Sequence, residues 1–317
     1  MPSLEDLRSK LGTVDLTARF DEQIRFRVPT GNIAFDLVIG GGIPSGRLTE
    51  FFGGESSSKS RLLLHILAET QKMGGIAMLL DTERSVEKGL ADLTGLDVEE
   101  LFYIDPNEIE TLEQVFDKIE LAITAMREVN PDGLLTFGLD SLAAIPSKED
   151  MDRTEWGVST SAMRRARVIG DALKKLMPHI YQTNICLIFT NQIRDRMNVQ
   201  YGAQTETPGG RQVKFWAALR LQLKIMGAIK NEKTKEQIGS KVNLKVAKSK
   251  VCVPFQEVNF EIPVSEQISR YSGLLDYMVR HEQIEQTGAR YKFPGEEKTF
   301  YAKDFIDNYK RKFEEEE

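Results

Sequence analysis

The chain has 317 residues, 41% of them hydrophobic and 28% charged, and its 42 Lys and Arg against 48 Asp and Glu give a formal net charge of −6. This composition excludes a disordered chain, and no apolar run reaches the ~18 residues that a membrane-spanning helix needs. The first residues carry acids and no apolar segment, so we expect no secretory signal. Cys186 and Cys252 lack metal-ligand spacing and lie in apolar runs, as expected for reduced core residues of a cytosolic protein.

The charge is unevenly distributed along the chain. Residues 181–250 contain 13 Lys and Arg against four Asp and Glu, a local net charge of +9, so the rest of the chain carries −15. Such asymmetry is found in proteins with a nucleic-acid-binding face, but an ordinary solvated surface can also produce it. The charge alone leaves both interpretations open.

In chain order, the residue pattern predicts a short helix over 3–11, a polar linker over 13–23 and a strand over 24–28. Short apolar strands then alternate with helices. The predicted strands are 48–52, 76–80, 101–104, 134–139 and 185–190, and the predicted helices are 59–72, 86–93, 109–129 and 164–181. This alternation predicts an α/β fold with a mostly parallel central sheet and helices on both faces.

The pattern changes after Gly210. Residues 217–225 and 242–247 are predicted to form antiparallel strands that extend the sheet. A small helical tail follows, with helices over 274–281 and 302–313 and a segment over 288–292 between them. The chain ends in the acidic run 314–317, which we expect to be frayed.

A phosphate-binding loop is predicted between strand 48–52 and helix 59–72. Backbone N–H groups in such a loop surround phosphate oxygens at the start of the helix, Lys59 can neutralise the β and γ phosphates, and the Ser60 hydroxyl can ligate Mg²⁺. The pattern GxxxxGK[ST] requires glycine where this chain has Ser58. The alternative is a flexible loop that only caps the helix. The predicted ATP-binding residues are Gly53, Gly54, Glu55, Ser56, Ser57, Ser58, Lys59 and Ser60.

Polar side chains follow three other predicted strands. Asp140 could hold Mg²⁺ through water, Glu83 could polarise the attacking water, and Gln192 could sense the γ-phosphate. The alternative for Asp140 and Glu83 is helix capping. Because all these residues fall at the carboxyl ends of predicted parallel strands, we favour a common nucleotide site.

Six segments carry a resemblance to a known family. They are GGESSSKS at 53–60, LLDTERS at 79–85, GLDSLAAIP at 138–146, LIFTNQIR at 187–194, TETPGG at 205–210 and VAKSKVCVPF at 246–255. In this order and spacing they resemble the core of the RecA recombinase family, over residues 30–313. Residues 271–276 and the short tail resemble its phage-type, UvsX-like strand-exchange proteins.

The resemblance implies an ATP- and Mg²⁺-dependent recombinase, a DNA-dependent ATPase with a RecA-like P-loop core. It would form helical filaments on single-stranded DNA and exchange strands with homologous duplex DNA. It implies the cytoplasm of a bacterium or phage-infected bacterial cell, with single-strand-binding and loader proteins as partners and no membrane association. The domain division would be an oligomerisation arm over 1–29, an ATPase and DNA-binding core over 30–270, and a small C-terminal domain over 271–317.

The resemblance also implies residue roles. Lys59, Glu83 and Gln192 would be catalytic, Ser60 and Asp140 would hold the metal, and Glu87 would join the ATP-binding set. Two DNA-binding loops are implied, over 147–157 and 194–210. Lys248 and Lys250 would contact the ATP of a neighbouring subunit. The implied DNA contacts are Trp156, Arg167, Lys174, Arg194, Arg196, Tyr201, Gly209, Gly210, Arg211 and Lys214.

Three departures from the family pattern affect the functional prediction. Ser58 replaces a glycine, Leu90 stands where bacterial members have an aromatic residue near adenine, and Gly138 is expected to interrupt the strand before Asp140. Two of them, Ser58 and Leu90, motivate a second hypothesis, a RecA-like ATP-binding accessory (mediator) protein without strand exchange. A hexameric helicase built on the same core is the third.

Overall fold

The computed structural model describes residues 24–84, 86–142, 145–152, 161–195, 205–206 and 210–314, with only the backbone of 194, 195, 205 and 206. The strands are β1 (Arg27–Val28), β2 (Ile43–Pro44), β3 (Arg47–Gly53), β4 (Ile76–Asp81), β5 (Phe102–Ile104), β6 (Leu135–Asp140), β7 (Ile185–Gln192), β8 (Arg194–Asp195), β9 (Thr205–Glu206), β10 (Leu219–Lys230), β11 (Gln237–Ser249), β12 (Glu257–Pro263), β13 (Glu285–Thr287), β14 (Arg290–Lys292) and β15 (Phe300–Tyr301).

Helices flank the sheet and form part of the C-terminal region. They are α1 (Ile33–Ile39), α2 (Lys59–Lys72), α3 (Lys88–Asp92), α4 (Leu112–Val129), α5 (Lys148–Met151), α6 (Ser161–Ile180), α7 (Gly210–Trp216), α8 (Leu274–Arg280) and α9 (Phe305–Phe313), with short 3₁₀ turns at Pro106–Glu108 and Ala302–Asp304. Within the described ranges, no helix is long and apolar enough to cross a membrane.

Eight strands form the central sheet in the order β12-β11-β10-β3-β7-β6-β4-β5. The six strands from β10 to β5 are mutually parallel, and β11 and β12 extend the sheet antiparallel. One hydrophobic cluster packs α1, α2 and the C-terminal region on one face, and a second packs α4 and α6 on the other. The predicted α/β architecture is confirmed, and the carboxyl ends of β3, β4, β6 and β7 lie at one edge.

Glycine 138 does not interrupt its strand, contrary to the sequence expectation. β6 is continuous through Gly138, which pairs with Leu79 on β4 and Ile188 on β7. A Cβ atom at this position would lie 2.8 Å from Cδ1 of Leu63. Glycine therefore lets α2 pack closely on the sheet.

The predicted strand over 24–28 is shorter in the structure. Only Arg27 and Val28 are in β1, which pairs with Pro44 and Ile43 of the same chain. Val28 is fully buried in the core. These two residues of the predicted arm therefore belong to the fold of their own subunit.

The C-terminal third has more strand structure than the sequence predicted. β10 and β11 continue past their apolar segments, and β12 pairs along β11 with Val258, Phe260 and Ile262 buried. The tail has the predicted helices at both ends, but β13, β14 and β15 form a three-stranded sheet between them. Glu314 is tied down, because its carboxylate accepts a hydrogen bond from the Tyr271 hydroxyl at 2.8 Å.

Candidate nucleotide and DNA sites

Four neighbouring strand ends carry the residues predicted for the nucleotide site. In the sheet register Gly53 is opposite Gln192, and Asp81 is opposite Asp140. The loop that starts at Gly53 leads directly into α2. The structure thus brings Lys59, Glu83, Asp140 and Gln192 to one edge, as parallel strands require of residues at their carboxyl ends.

The loop between β3 and α2 has the backbone of a phosphate cradle. A Cβ atom at Gly53 would lie 2.4 Å from the Leu223 carbonyl oxygen, whereas one at Gly54 would meet nothing within 4 Å. Ser56 and Ser58 adopt left-handed conformations, with φ of 54° and 67°. The Ser58 side chain makes no capping hydrogen bond to α2. Serine therefore occupies a backbone conformation that suits glycine.

The Lys59 ammonium is buried inside this loop. Its Nζ donates hydrogen bonds to the carbonyl oxygen of Gly54 at 2.8 Å and to Oγ of Ser57 at 3.2 Å. Burial lowers the pKa of Lys59, and the negative charges of Asp140, Glu83 and Glu55 oppose that shift. The ammonium is held where a phosphate group could replace the loop's own oxygens as its partner.

Asp140 is a buried carboxylate with unused capacity for a cation. Its Oδ1 accepts a hydrogen bond from the Thr190 hydroxyl, while Oδ2 is buried without a well-formed hydrogen bond. Burial raises the pKa of Asp140, although the nearby hydroxyls of Ser60 and Thr190 favour its charged form. A hydroxyl beside a carboxylate with a free oxygen is a donor set that suits Mg²⁺.

No group of three or more His, Cys, Asp or Glu residues able to hold a metal occurs in the described part of the chain. Ser60 and Asp140 would hold Mg²⁺ together with further oxygen ligands, such as those of phosphate groups and water.

Glu83 and Gln192 are connected directly. Oε1 of Glu83 accepts hydrogen bonds from Nε2 of Gln192 at 3.1 Å and from the Ser141 hydroxyl. Thr82 fixes the neighbouring backbone, since its Oγ1 donates to the Ser141 carbonyl oxygen at 2.9 Å and accepts from the Ser141 N–H at 3.0 Å. The carboxylate is exposed but oriented by two donors, one at the end of β7 and one directly after β6.

The segment from the end of β4 to α3 carries three further residues of interest, Asp81, Glu87 and Leu90. Asp81 is fully buried, and its Oδ2 accepts a hydrogen bond from the N–H of Val86 at 2.9 Å, which shapes the loop that carries Glu83. Glu87 is exposed at the start of α3. Leu90 is half-buried against the hydrophobic cluster on the α2 face. The side chain of Glu87 is therefore exposed to solvent, whereas that of Leu90 is partly covered.

A buried ion pair that the sequence reasoning missed lies behind the phosphate loop. Glu50 on β3 is fully buried and pairs with Nε of Arg220 on β10. Its other oxygen, Oε1, accepts a hydrogen bond from Nδ2 of Asn191 on β7 at 2.9 Å. In the sequence, Glu50 is the one charged residue of predicted strand 48–52, and Arg220 is one of two charged residues of predicted strand 217–225.

Lys248 and Lys250 bind the end of α7 in their own subunit. Nζ of Lys248 donates to the carbonyl oxygens of Lys214 at 2.5 Å, Phe215 at 3.0 Å and Ala217 at 2.8 Å. Burial and the charges of Lys250 and Arg220 lower the pKa of Lys248 to about 8, opposed by Glu50. A cation at these carbonyl groups stabilises the carboxyl end of the helix.

Helices α6 and α7 form a basic groove of about 450 Å³. Arg167 and Lys174 from α6 and Arg211 from α7 line it, beside the exposed ring of Phe215. Asp171 of α6 also lines it, with Oδ2 at 3.9 Å from Nε of Arg167, so the cations outnumber the carboxylates by three to one among these lining residues. Gly210 begins α7 with a φ of +60°, and a Cβ atom there would lie 3.5 Å from Cβ of Ala166. Three of the predicted DNA contacts therefore share one surface.

Lys214 and five other predicted DNA contacts do not add to this geometry. Lys214 lies on α7 and is half-buried, outside the residues that line the groove. For Arg194 the structure describes only the backbone of β8. Trp156, Arg196, Tyr201 and Gly209 lie outside the described residues.

Comparison with known proteins finds one family over most of the chain. The family model of the RecA N-terminal domain matches residues 4–269. The chain is 36% identical over 272 residues to protein RecA of Rubrobacter xylanophilus, covering 86% of this chain and 75% of that protein. It is 38% identical over 270 residues to protein RecA of Geobacter sulfurreducens, covering 85% and 76%. It is 34% identical over 283 residues to protein RecA of Aquifex aeolicus, covering 89% and 78%.

Proposed function

The chain belongs to the RecA family and is accordingly an ATP-dependent recombinase with DNA-dependent ATPase activity, and we propose that Lys59, Glu83 and Gln192 carry its hydrolysis. The observation that supports this assignment most directly is that Gln192 and Asp140 end neighbouring strands of one sheet edge, where the segments after β3 and β4 carry Lys59 and Glu83. Binding of ATP and single-stranded DNA, and assembly into filaments, follow from the same membership.

The phosphate loop binds and orients ATP. Its N–H groups and the amino end of α2 favour the negative charge of the phosphates. Lys59 exchanges its carbonyl partners in the loop for phosphate oxygens. Gly53, Gly54, Glu55, Ser56, Ser57 and Ser58 would form the wall of the cradle, and exposed Glu87 is proposed to contact the base. Mg²⁺ bound by Ser60 and Asp140 would supply charge neutralisation at the phosphates.

Glu83 orients the attacking water and accepts its proton. The two donors on Oε1 leave the other carboxylate oxygen available for that water. Gln192 can donate either to Glu83, as here, or to a γ-phosphate oxygen. Exchange between these two acceptors would transmit the nucleotide state to the loop over 194–210.

The basic groove between α6 and α7 is proposed to bind the phosphates of single-stranded DNA. Arg167, Lys174 and Arg211 provide sequence-independent affinity. Trp156 and Tyr201 are proposed to stack on bases. The remaining candidates for DNA contacts are Arg194, Arg196, Gly209, Gly210 and Lys214. Lys248 and Lys250 are proposed to reach the nucleotide of a neighbouring subunit, for which they would exchange the carbonyl oxygens at the end of α7 for phosphate oxygens.

Further assignments belong to the same proposal. Homologous duplex DNA would be the second substrate, and single-strand-binding and loader proteins would be partners in the cytoplasm of a bacterium or phage-infected cell. The division into residues 1–29, 30–270 and 271–317 remains the proposed domain organisation. Residues 271–276 and the short tail support a phage-type, UvsX-like member, although the relatives named above are bacterial.

A strand-exchange assay tests this proposal. The protein is incubated with circular single-stranded DNA, homologous linear duplex and ATP, and joint molecules are expected. Hydrolysis without joint molecules would instead indicate the accessory protein, and unwinding of a forked duplex would indicate the helicase.

Lys59→Ala should abolish both hydrolysis and pairing, while Lys72→Ala at the far end of α2 is the matched control. Glu83→Gln should bind ATP but hydrolyse it at least ~100-fold more slowly.

A further inference from the structure

The buried carboxylate of Glu50 joins three strands on the sheet face opposite the phosphate loop. It lies between the Asn191 amide of β7 and the Arg220 guanidinium of β10. The Arg220 guanidinium also stacks on the ring of Phe52 at 4.4 Å. None of these groups takes part in the hydrolysis proposed above.

On one side, Glu50 anchors the backbone that carries Gln192. Asn191 and Gln192 are consecutive in β7, so their side chains point to opposite faces of the sheet. Gln192 contacts Glu83 at the nucleotide edge, whereas Asn191 is held by Glu50 on the other face. When Gln192 moves toward a phosphate, it pulls on the backbone of Asn191, and the hydrogen bond between Asn191 and Glu50 restrains that backbone.

On the other side, Glu50 holds the residue opposite Lys248. Arg220 and Lys248 are paired directly between β10 and β11. Lys248 donates to three carbonyl oxygens at the end of α7, the helix that presents Arg211 to the groove. The charges of Glu50 and Arg220 both act on Lys248. The position of α7 is thus connected to Glu50 through one ion pair and one cross-strand neighbour.

Stability alone is a weak explanation for this arrangement. Burying an ion pair costs desolvation free energy, and apolar groups of similar volume often serve the fold equally well. Asn191, Glu50 and Arg220 instead form a chain of hydrogen bonds that runs from the nucleotide edge toward α7. Hydrogen bonds fix the relative orientation of the groups that they join, and apolar contacts do not.

We propose that Glu50 is a positioning residue that couples Gln192 at the nucleotide edge to Lys248 at the end of α7. Through it, DNA bound along α7 accelerates ATP hydrolysis at the strand ends. This inference rests on the proposed function and adds the route by which its two sites communicate.

The test compares ATP hydrolysis with and without saturating circular single-stranded DNA. Glu50→Gln keeps the shape of the side chain and an acceptor for Asn191 but removes the charge that pairs with Arg220. The hydrolysis rate without DNA should stay within about twofold of the wild-type rate. The stimulation of that rate by DNA should fall at least ~5-fold, which is the lower end of typical coupling between two sites. Glu108→Gln, which removes the exposed pair with Lys118 at 3.4 Å, should change neither rate.

A double variant separates coupling from folding. Glu50→Gln leaves Arg220 buried without its counter-charge and should lower the thermal midpoint, whereas Glu50→Gln with Arg220→Gln removes both charges and should restore it. The double variant should still lack DNA stimulation. Wild-type stimulation in the refolded double variant, or in Glu50→Gln itself, overturns the role of Glu50 alone. A wild-type protein that DNA does not stimulate overturns both this inference and the proposed function.

Discussion

Replacing Ser58 by glycine should stabilise the folded protein. Ser58 has φ 67° and ψ 22°, and its side chain makes no capping hydrogen bond that the change would remove. The left-handed conformation costs a residue with a Cβ atom about 1–2 kcal/mol. Glycine loses more backbone entropy on folding, about 0.5–1 kcal/mol. The difference predicts an increase of about 0.5–1 kcal/mol in the free energy of unfolding.

Urea unfolding measures this change, and the adjacent serine provides the control. Ser57 is 2% exposed, lacks the left-handed backbone, and donates a hydrogen bond to the Gly54 carbonyl oxygen at 2.8 Å. Ser57→Gly should therefore lose about 1–2 kcal/mol of unfolding free energy, because it removes this hydrogen bond and the one that Oγ accepts from Nζ of Lys59 at 3.2 Å, and because it adds chain entropy. A Ser58→Gly midpoint equal to or below that of the wild type would refute the strain argument.

The remaining predictions concern pH and salt. Burial lowers the pKa of His65 to about 4 and raises that of Asp36 to about 6, so between these values the folded protein binds fewer protons at His65 and more at Asp36 than the unfolded chain. As the pH rises from 4 to 6, the unfolding free energy of His65→Gln should fall by about 1–3 kcal/mol relative to that of the wild type. Over the same range, the unfolding free energy of Asp36→Asn should rise by a similar amount relative to the wild type. Urea unfolding measures both changes, and the same pH dependence in the two variants would contradict this prediction. Arg167→Ala with Lys174→Ala should reduce the slope of log affinity for single-stranded DNA against log salt by up to ~2, whereas Lys175→Ala should not.

Local signals predicted the part of the fold that positions the nucleotide. The helix predicted over 59–72 has those bounds in α2, because a Gly/Ser loop precedes it and a glycine pair follows it closely. Asp140 and Gln192 were placed correctly at the strand ends because a polar residue follows a buried apolar run in each case. Parallel pairing then brings these ends together without any further information.

Pairing between distant segments could not be predicted in the same way. Glu50 and Arg220 are 170 positions apart, and they meet only because β10 returns to lie beside β3. In the sequence, neither charged residue carries a signal that names its partner. β10 and β11 were predicted too short because β10 is buried only in its first part and β11 mainly in its middle, while backbone pairing continues through the exposed ends. β12 alternates clearly, yet its assignment required knowing that β11 offers a free edge.

The local charge of +9 over residues 181–250 overstates the DNA-binding surface of that stretch. Arg220 is buried against Glu50, and Lys248 is bound to the carbonyl groups of α7, so neither charge faces the groove. Conversely, Arg167 and Lys174 line the groove but lie outside the stretch. The salt dependence of DNA binding should therefore follow the exposed cations of the groove and not the charge count along the sequence. Neutralising Arg220 together with Glu50 should leave the salt slope unchanged while it removes the response of hydrolysis to DNA.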